Sequence, residues 1–172
     1  MFFDKMKVTR VFTHHEYPRF AAEEGFSSDL ISIGFVYDEE ISINGDRVDI
    51  KNAIRDRHPT LSEYMIGNAA GHFVRFRDGI SGGDILIAYE GENIVSGVGV
   101  VQGPCVYNDS NPLGEPNGAF SYPNQRAVSW ENNPRFFSRW KLKPDLSYWV
   151  GLPGTVYIKK GYRIKRLNEI FI

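Results

Sequence analysis

The chain has 172 residues, of which 42% are hydrophobic, 14% aromatic and 24% charged, a composition that excludes a disordered chain and suffices for one buried core. The single cysteine, Cys105, excludes an internal disulfide framework and is typical of a reducing cytosol. Charged residues interrupt every apolar run before it reaches membrane-spanning length. We therefore predict one cytoplasmic domain over residues 1–172 with no membrane contact, a core at about 8–159 and a basic extension at 160–172.

The first third of the chain predicts strands joined by a short helix. Residues 8–12 and 30–35 are rich in β-branched residues and indicate two strands. Between them, Pro18 can occupy the first turn of a helix that runs to Glu24 and ends at Gly25.

The next segment admits two interpretations. Asn44-Gly45 is typical of a tight hairpin turn between strands at 41–43 and 47–50. Alternatively, Asp49 caps a helix over 50–57 that ends before Pro59.

A helix followed by several strands is expected in the rest of the chain. Residues 68–76 have helical spacing, 84–89 form an apolar run typical of a buried central strand, and 94–101 return as its antiparallel partner. Residues 108–124 are dense in Asn, Gly, Pro and Ser and predict a long surface loop, and two further strands follow at 126–130 and 155–159. Many strands with a few short helices predict an α+β domain, with a curled sheet or a small barrel flanked by short helices.

The net charge of −1 conceals two segments of opposite charge. Residues 1–120 contain 10 Lys or Arg and 18 Asp or Glu, a balance of −8, whereas residues 121–172 contain 10 and 3, a balance of +7. Such a basic segment can contact DNA phosphates and release their counterions, which drives binding. A solvated basic face without a partner is equally compatible with the charge.

No sequence motif indicates catalysis, a cofactor or a metal. The chain lacks a Gly-Lys-Ser/Thr phosphate-binding loop, and the glycines of 97–103 lie within a strand, where they favour a bend or a close backbone approach. Cys105 has no nearby histidine in sequence and is expected to be a buried structural thiol. His14 and His15 are adjacent and would point in opposite directions on an extended chain, which argues against a shared metal.

Aromatic residues cluster at the predicted strand ends. Tyr17 follows the first strand, Phe35 and Tyr37 end the second, and Trp130 ends a later one, just before Asn132. Aromatic rings beside amide and imidazole groups can sandwich a planar base and read its edge. The alternative is that all four rings only cover the hydrophobic core.

Five segments, in order, resemble the EVE-like members of the PUA superfamily, which are relatives of YTH domains. More narrowly, they are similar to the N-terminal domains of McrB-type and Mrr-type modification-dependent restriction proteins. The segments are 29–35 (DLISIGF), 68–76 (NAAGHFVRF), 83–89 (GDILIAY), 94–103 (IVSGVGVVQG) and 122–130 (YPNQRAVSW).

The resemblance implies a PUA-like pseudo-barrel whose aromatic pocket holds a base flipped out of duplex DNA. Trp130 would be one wall of this pocket, and Phe35 or Tyr37 would replace the tryptophan usual after Ile-Gly in the family. The base edge would be read from the loop after the first strand, with Asn68 and Asn132 as the alternative location. Three departures from the family pattern, namely the phenylalanine in place of tryptophan, the histidine-rich first loop and the 108–124 insertion, leave the preferred base open. The residues expected to read the edge in the first loop are His14, His15 and Tyr17.

The basic segment would then supply the phosphate contacts that set affinity and register without reading sequence. These sequence features predict a noncatalytic domain that recognises a modified base in duplex DNA, with a GTP-driven AAA+ motor and a nuclease on another domain or subunit. Two alternatives are an RNA-binding PUA-like module and a protein-interaction domain. The predicted phosphate-contacting residues are Arg126, Arg135, Arg139, Lys141 and Lys143.

Overall fold

A computed structural model describes residues 6–12, 18–109, 113–114, 121–151 and 154–172. His14, His15 and Tyr17 lie outside the described residues, as does most of the predicted 108–124 loop.

The main sheet is mixed and strongly curled, and it forms a half-barrel flanked by short helices. Its strands run in the order β10-β1-β3-β4-β8-β2, with β5 paired to β8 and β9 paired to β4. The strands β1 and β3 are parallel and the other pairs are antiparallel. A separate pair is formed by β6 and β7. The strands are β1 (Met6–Phe12), β2 (Leu30–Ile33), β3 (Ile85–Glu90), β4 (Ile94–Val101), β5 (Val106–Tyr107), β6 (Leu113–Gly114), β7 (Ser121–Tyr122), β8 (Asn124–Trp130), β9 (Phe137–Ser138) and β10 (Val156–Ile164).

Glycines in β4 allow neighbouring groups to approach the sheet closely, as the sequence predicted. A Cβ at Gly97 would stand 2.7 Å from the ring of Phe26, and a Cβ at Gly99 would stand 2.6 Å from Val128. Register shifts in the β1–β10 and β3–β4 pairs add local twist and curl.

The helices correct two predictions. The first helix continues through Gly25, and the predicted hairpin at Asn44-Gly45 is wrong because two helices occupy this segment. Asp38 accepts a hydrogen bond from the Ile41 N–H and starts the first of these, while Asp46 forms a capping box with Asp49 and starts the second. The described helices are α1 (Pro18–Ser28), α2 (Glu39–Asn44), α3 (Arg47–Arg57), α4 (Glu63–Val74), which continues into a π-helical turn (Arg75–Gly79), and α5 (Pro144–Val150), with 3₁₀ turns at Arg139–Lys141 and Leu167–Ile170.

Two hydrophobic clusters fill the fold, one on each side of the curled sheet. The larger contains Phe26, Phe73, Phe76 and Trp130 and is covered by α1, α3 and α4. The smaller contains residues of β3, β4 and α5. The helix α5 was not predicted from the sequence, although Pro144 lies in its first turn.

Candidate nucleic-acid interface

A small apolar pocket lies where the end of β8 meets α1 and the start of β2. It has a volume of about 20 Å³, which is room for about one water molecule. Its most prominent wall is an edge-to-face pair of Phe26 and Trp130, whose ring centroids are 5.1 Å apart. The remaining lining residues are Ala21, Ala22, Gly25, Leu30, Ile31, Ser32 and Ala88.

Trp130, a lining residue of this pocket, has a buried indole N–H. Its side chain is 9% exposed, and its indole Nε1 has no hydrogen-bond partner among the described residues. A buried N–H without a partner is energetically costly, and a carbonyl or ring nitrogen of a ligand would satisfy it. Because this Nε1 is buried, a ligand can reach it only when the packing around Trp130 opens.

Phe35 and Tyr37 do not form a cage with Trp130. In the antiparallel β2–β8 pair, Leu30 lies opposite Ala127 and Ile33 opposite Asn124. Trp130 therefore lies at one end of the pair, whereas the Asn124 side chain at the other end donates to the carbonyl of Val36. Six residues of extended strand separate the two ends by roughly 20 Å, which is too far for two rings to enclose one base. The ring that Trp130 faces is Phe26, which the sequence-based reasoning missed.

Asn132 and Arg135 lie beside the Trp130 pocket. The guanidinium of Arg135 stands 4.2 Å from the ring centroid of Phe26, and its Nη2 donates to the Asn132 Oδ1 at 3.3 Å. A cation and an amide therefore border the ring that forms the pocket wall. Asn68 is exposed on α4 and does not line this pocket.

The prediction that Arg126 contacts phosphate is wrong. Its side chain is 1% exposed and donates to the carbonyls of Phe76 at 2.7 Å, Gly103 at 2.8 Å and Arg77 at 2.6 Å. Burial lowers the pKa of this guanidinium. Arg126 thus holds β8 against the π-helical turn after α4, and its guanidinium is not exposed to solvent.

An exposed aromatic corner lies farther along the basic segment. Trp140 is 61% exposed in the 3₁₀ turn, and Tyr148 is 71% exposed on the neighbouring α5. Arg139 joins the two elements, because its guanidinium lies 4.4 Å from the Trp140 ring centroid and its Nη1 donates to the carbonyl of Ser147 at 3.2 Å. We call Trp140 and Tyr148 the aromatic corner. The sequence-based reasoning named Arg139 but neither ring.

Cations surround this corner without carboxylate partners in the described part of the chain. Lys141 is exposed and Lys143 is half-buried just before α5. The Nζ of Lys159 lies 5.6 Å from the ring centroids of both Trp149 and Tyr162. The ion pairs between described residues are Lys7–Asp84, Arg19–Glu90, Arg55–Glu63 and Arg77–Asp78, all outside the basic segment.

A second pocket, of about 70 Å³, lies at the opposite end of β8. Its lining includes Asn124, Tyr107 and Ser42, and the buried Ser42 hydroxyl has no hydrogen-bond partner among the described residues. Cys105 lines the same pocket, and burial raises the pKa of its thiol to about 11, so the thiol stays protonated at neutral pH. The Tyr107 hydroxyl donates to the carbonyl of Tyr37, so Tyr37, which follows β2, lies near this pocket and not near Trp130.

The described residues contain neither a metal-ligand cluster nor a membrane-spanning helix. No group of three or more metal-ligating side chains occurs among them. None of their helices has the length and hydrophobicity that crossing a bilayer requires.

Comparison with known proteins gives the family. A family model described as "Domain of unknown function (DUF8426)" matches residues 15–141, so the chain belongs to that family. The matched region includes the Trp130 pocket and Trp140 and ends before α5. The search of curated proteins found no match.

Proposed function

We propose that this member of the DUF8426 family is a DNA-binding domain that recognises a modified base in duplex DNA and has no catalytic activity of its own. We further propose that its half-barrel is PUA-like. The observation that carries the proposal is the cation and amide beside the Trp130 pocket: the guanidinium of Arg135 lies 4.2 Å from the Phe26 ring centroid and donates to the Asn132 Oδ1. Further cations follow along the chain from Arg139 to Lys143.

The phosphate contacts are assigned to the accessible cations of this segment. Arg135, Lys141 and Lys143 remain candidates, while Arg126 is replaced by cations farther along the chain, such as Lys160 and Arg163, which are exposed. Arg139 acts by positioning Trp140, because its guanidinium already donates to Ser147. Neutralising backbone phosphates gives affinity that does not depend on sequence and that falls with salt.

The base would enter the Trp130 pocket by opening it. A volume of about 20 Å³ is far smaller than a base, so Phe26 must move away from Trp130 when a base inserts between or beside the rings. Extruding a base from the duplex costs a few kcal/mol, and stacking on an aromatic ring contributes roughly 1–3 kcal/mol in return. A methyl group on the base adds about 0.8 kcal/mol if it is fully buried. Edge hydrogen bonds must therefore supply part of the selectivity, and the buried Trp130 Nε1 could donate one of them once Phe26 has moved.

In the proposed role, catalysis is carried out by another domain or subunit. A domain that only binds a modified base needs a motor and a nuclease to act on the DNA, and we propose that an AAA+ GTPase and a nuclease subunit supply these activities. His14, His15 and Tyr17 remain proposed edge-reading residues.

The test is a binding panel at fixed salt with duplexes that differ in one base: unmodified, N6-methyladenine and modified cytosines. Trp130→Phe keeps a ring in the pocket and removes the Nε1 donor, so we expect modified-duplex affinity to fall by about fivefold to tenfold while unmodified binding changes little. Trp149→Phe is the matched control, because Trp149 lies outside the pocket. Equal affinity for every duplex in the panel would refute modified-base recognition, and preferential binding of the matching RNA would favour the alternative RNA-binding function.

A further inference from the structure

Trp140 and Tyr148 are exposed, whereas neighbouring aromatic residues of the same segment, such as Trp130 and Phe137, are buried. Trp140 is 61% and Tyr148 71% exposed, whereas Trp130 is 9% and Phe137 5% exposed. Leaving large rings in water forgoes the free energy of their burial, and a ring held rigidly at the surface offers a flat face to a partner.

The aromatic corner is built rather than incidental. Arg139 stacks on the Trp140 ring at 4.4 Å and donates to the Ser147 carbonyl, so it fixes the 3₁₀ turn against α5. Gly151 makes room for this guanidinium, since a Cβ at that position would lie 1.4 Å from its Nη1. On α5, Leu146 and Val150 are buried in the core, which directs Tyr148 outward.

The charge around the corner identifies the chemistry of its partner. Lys141, Lys143 and Lys159 lie on the corner's own elements or on the adjacent β10, and none of them pairs with a carboxylate among the described residues. Two acids of the described residues lie near Lys159. Asp145, in the first turn of α5, has a backbone carbonyl that accepts from the Lys159 Nζ at 3.4 Å, and Glu169 lies near Tyr162, whose pKa is raised by burial and by the charges of both acids. Exposed rings among unpaired cations match a polyanion that carries flat, accessible rings.

We propose that the aromatic corner binds unpaired nucleotides of a single-stranded segment, with bases stacked on Trp140 and Tyr148 and phosphates held by the surrounding lysines. Paired bases in a continuous duplex are stacked on each other and cannot reach these rings, whereas unpaired bases can. The inference rests on the proposed function only in taking nucleic acid as the partner. It adds a second contact that is separate from the Trp130 pocket, so the protein would prefer sites beside a single-stranded gap or tail.

The experiment measures binding of fluorescein-labelled dT12 and of the corresponding dA·dT duplex by anisotropy at fixed salt, using the full chain. Trp140→Ala and Tyr148→Ala should each weaken dT12 binding by roughly tenfold and duplex binding by less than threefold. Trp140→Phe should retain most of the dT12 affinity and Trp140→Leu should not, because stacking needs a ring and not merely apolar surface. Tyr64→Ala is the matched control, since Tyr64 is 78% exposed on the distant α4 and should have no effect.

The outcomes separate this inference from the proposed function. The inference is overturned if the wild-type protein fails to bind dT12, if Trp140→Leu binds it as well as Trp140→Phe, or if the corner variants weaken duplex and dT12 binding equally. Modified-base selectivity is measured with Trp130→Phe in duplexes without single-stranded tails, so either result can fail while the other stands. Near-ultraviolet circular dichroism confirms that each variant is folded, and Arg139 is left unchanged because it positions the corner.

Discussion

Trp130 and Trp140 belong to the same basic segment but lie in opposite environments. Trp130 is 9% exposed, packs against Phe26, and its buried Nε1 has no partner among the described residues. Trp140 is 61% exposed and is held by the half-buried Arg139. Position in a basic segment therefore does not define a tryptophan's role. A buried ring can select a ligand by shape and hydrogen bonding only if the core opens, whereas an exposed ring can stack without such a cost.

The arginines of the segment divide in the same way. Arg126 is buried and bound to three backbone carbonyls, whereas Arg135 borders the pocket and retains access to solvent. Arg10, on β1, repeats the buried pattern, with its Nη1 donating to the Tyr89 hydroxyl at 3.0 Å and to the Val150 carbonyl at 3.1 Å. Guanidinium groups are therefore used inside this fold to bind carbonyl oxygens, which leaves fewer of them for phosphate.

The largest expected effect is a difference between the two tryptophans in how much their replacement by alanine lowers the free energy of unfolding. Trp130→Ala removes a buried ring and should lower this free energy by about 3–5 kcal/mol, whereas Trp140→Ala should lower it by less than about 1 kcal/mol. Urea denaturation followed by circular dichroism measures both values. Similar losses for the two variants would show that the contrast in burial is wrong.

Next in size is the loss of a buried arginine. Arg126→Ala leaves the carbonyls of Phe76, Arg77 and Gly103 without their donor, so the free energy of unfolding should fall by about 3 kcal/mol. Lys141→Ala, an exposed cation of the same segment, serves as the control and should change it by less than about 0.5 kcal/mol. If Arg126→Ala were as stable as this control, Arg126 would be free to contact phosphate after all.

A smaller effect tests the wall of the Trp130 pocket. Gly97→Ala would place a methyl 2.7 Å from the Phe26 ring and force that ring to move, at a cost of about 1–2 kcal/mol in unfolding free energy. Gly103→Ala is the matched control, because a Cβ there meets no atom within 4 Å. We expect Gly97→Ala alone to shift the fluorescence of the pocket tryptophan, and an identical spectrum for both variants would count against close packing of Phe26.

The smallest effect concerns the phosphate contacts. Lys141→Ala should reduce the salt slope of DNA binding by about one unit and lower affinity for modified and unmodified duplexes alike. Lys51→Ala, on α3, should leave the slope unchanged. The slope is obtained from affinities measured at several salt concentrations. An unaltered slope for Lys141→Ala would show that the DNA binds to another face of the protein.

The elements that could be predicted from the sequence are those in which local pattern and final environment agree. The predicted elements include β3, the turn into β4, and the strands β1, β8 and β10. Their alternating or continuous apolar residues favour a strand with one or both faces buried in a sheet. The two glycines of β4 were also interpreted correctly as points of close approach. The prediction of a hairpin at Asn44-Gly45 was wrong because Asp46 and Asp49 form a capping box, which stabilises the start of a helix at this place in preference to a turn.

Which side chains meet could not be predicted from the sequence, because it depends on the tertiary structure. Strand pairing with β2 placed Trp130 and Tyr37 at opposite ends of β8, and the packing of α1 onto β4 brought Phe26 to Trp130 instead. Burial of Arg126 and exposure of Trp140 likewise depend on which elements cover them, and charge or hydrophobicity alone cannot specify that. The physical reason is that local composition and the spacing of apolar residues determine structure over a few residues, whereas a pocket is formed by strand register and packing between segments that are distant in the chain.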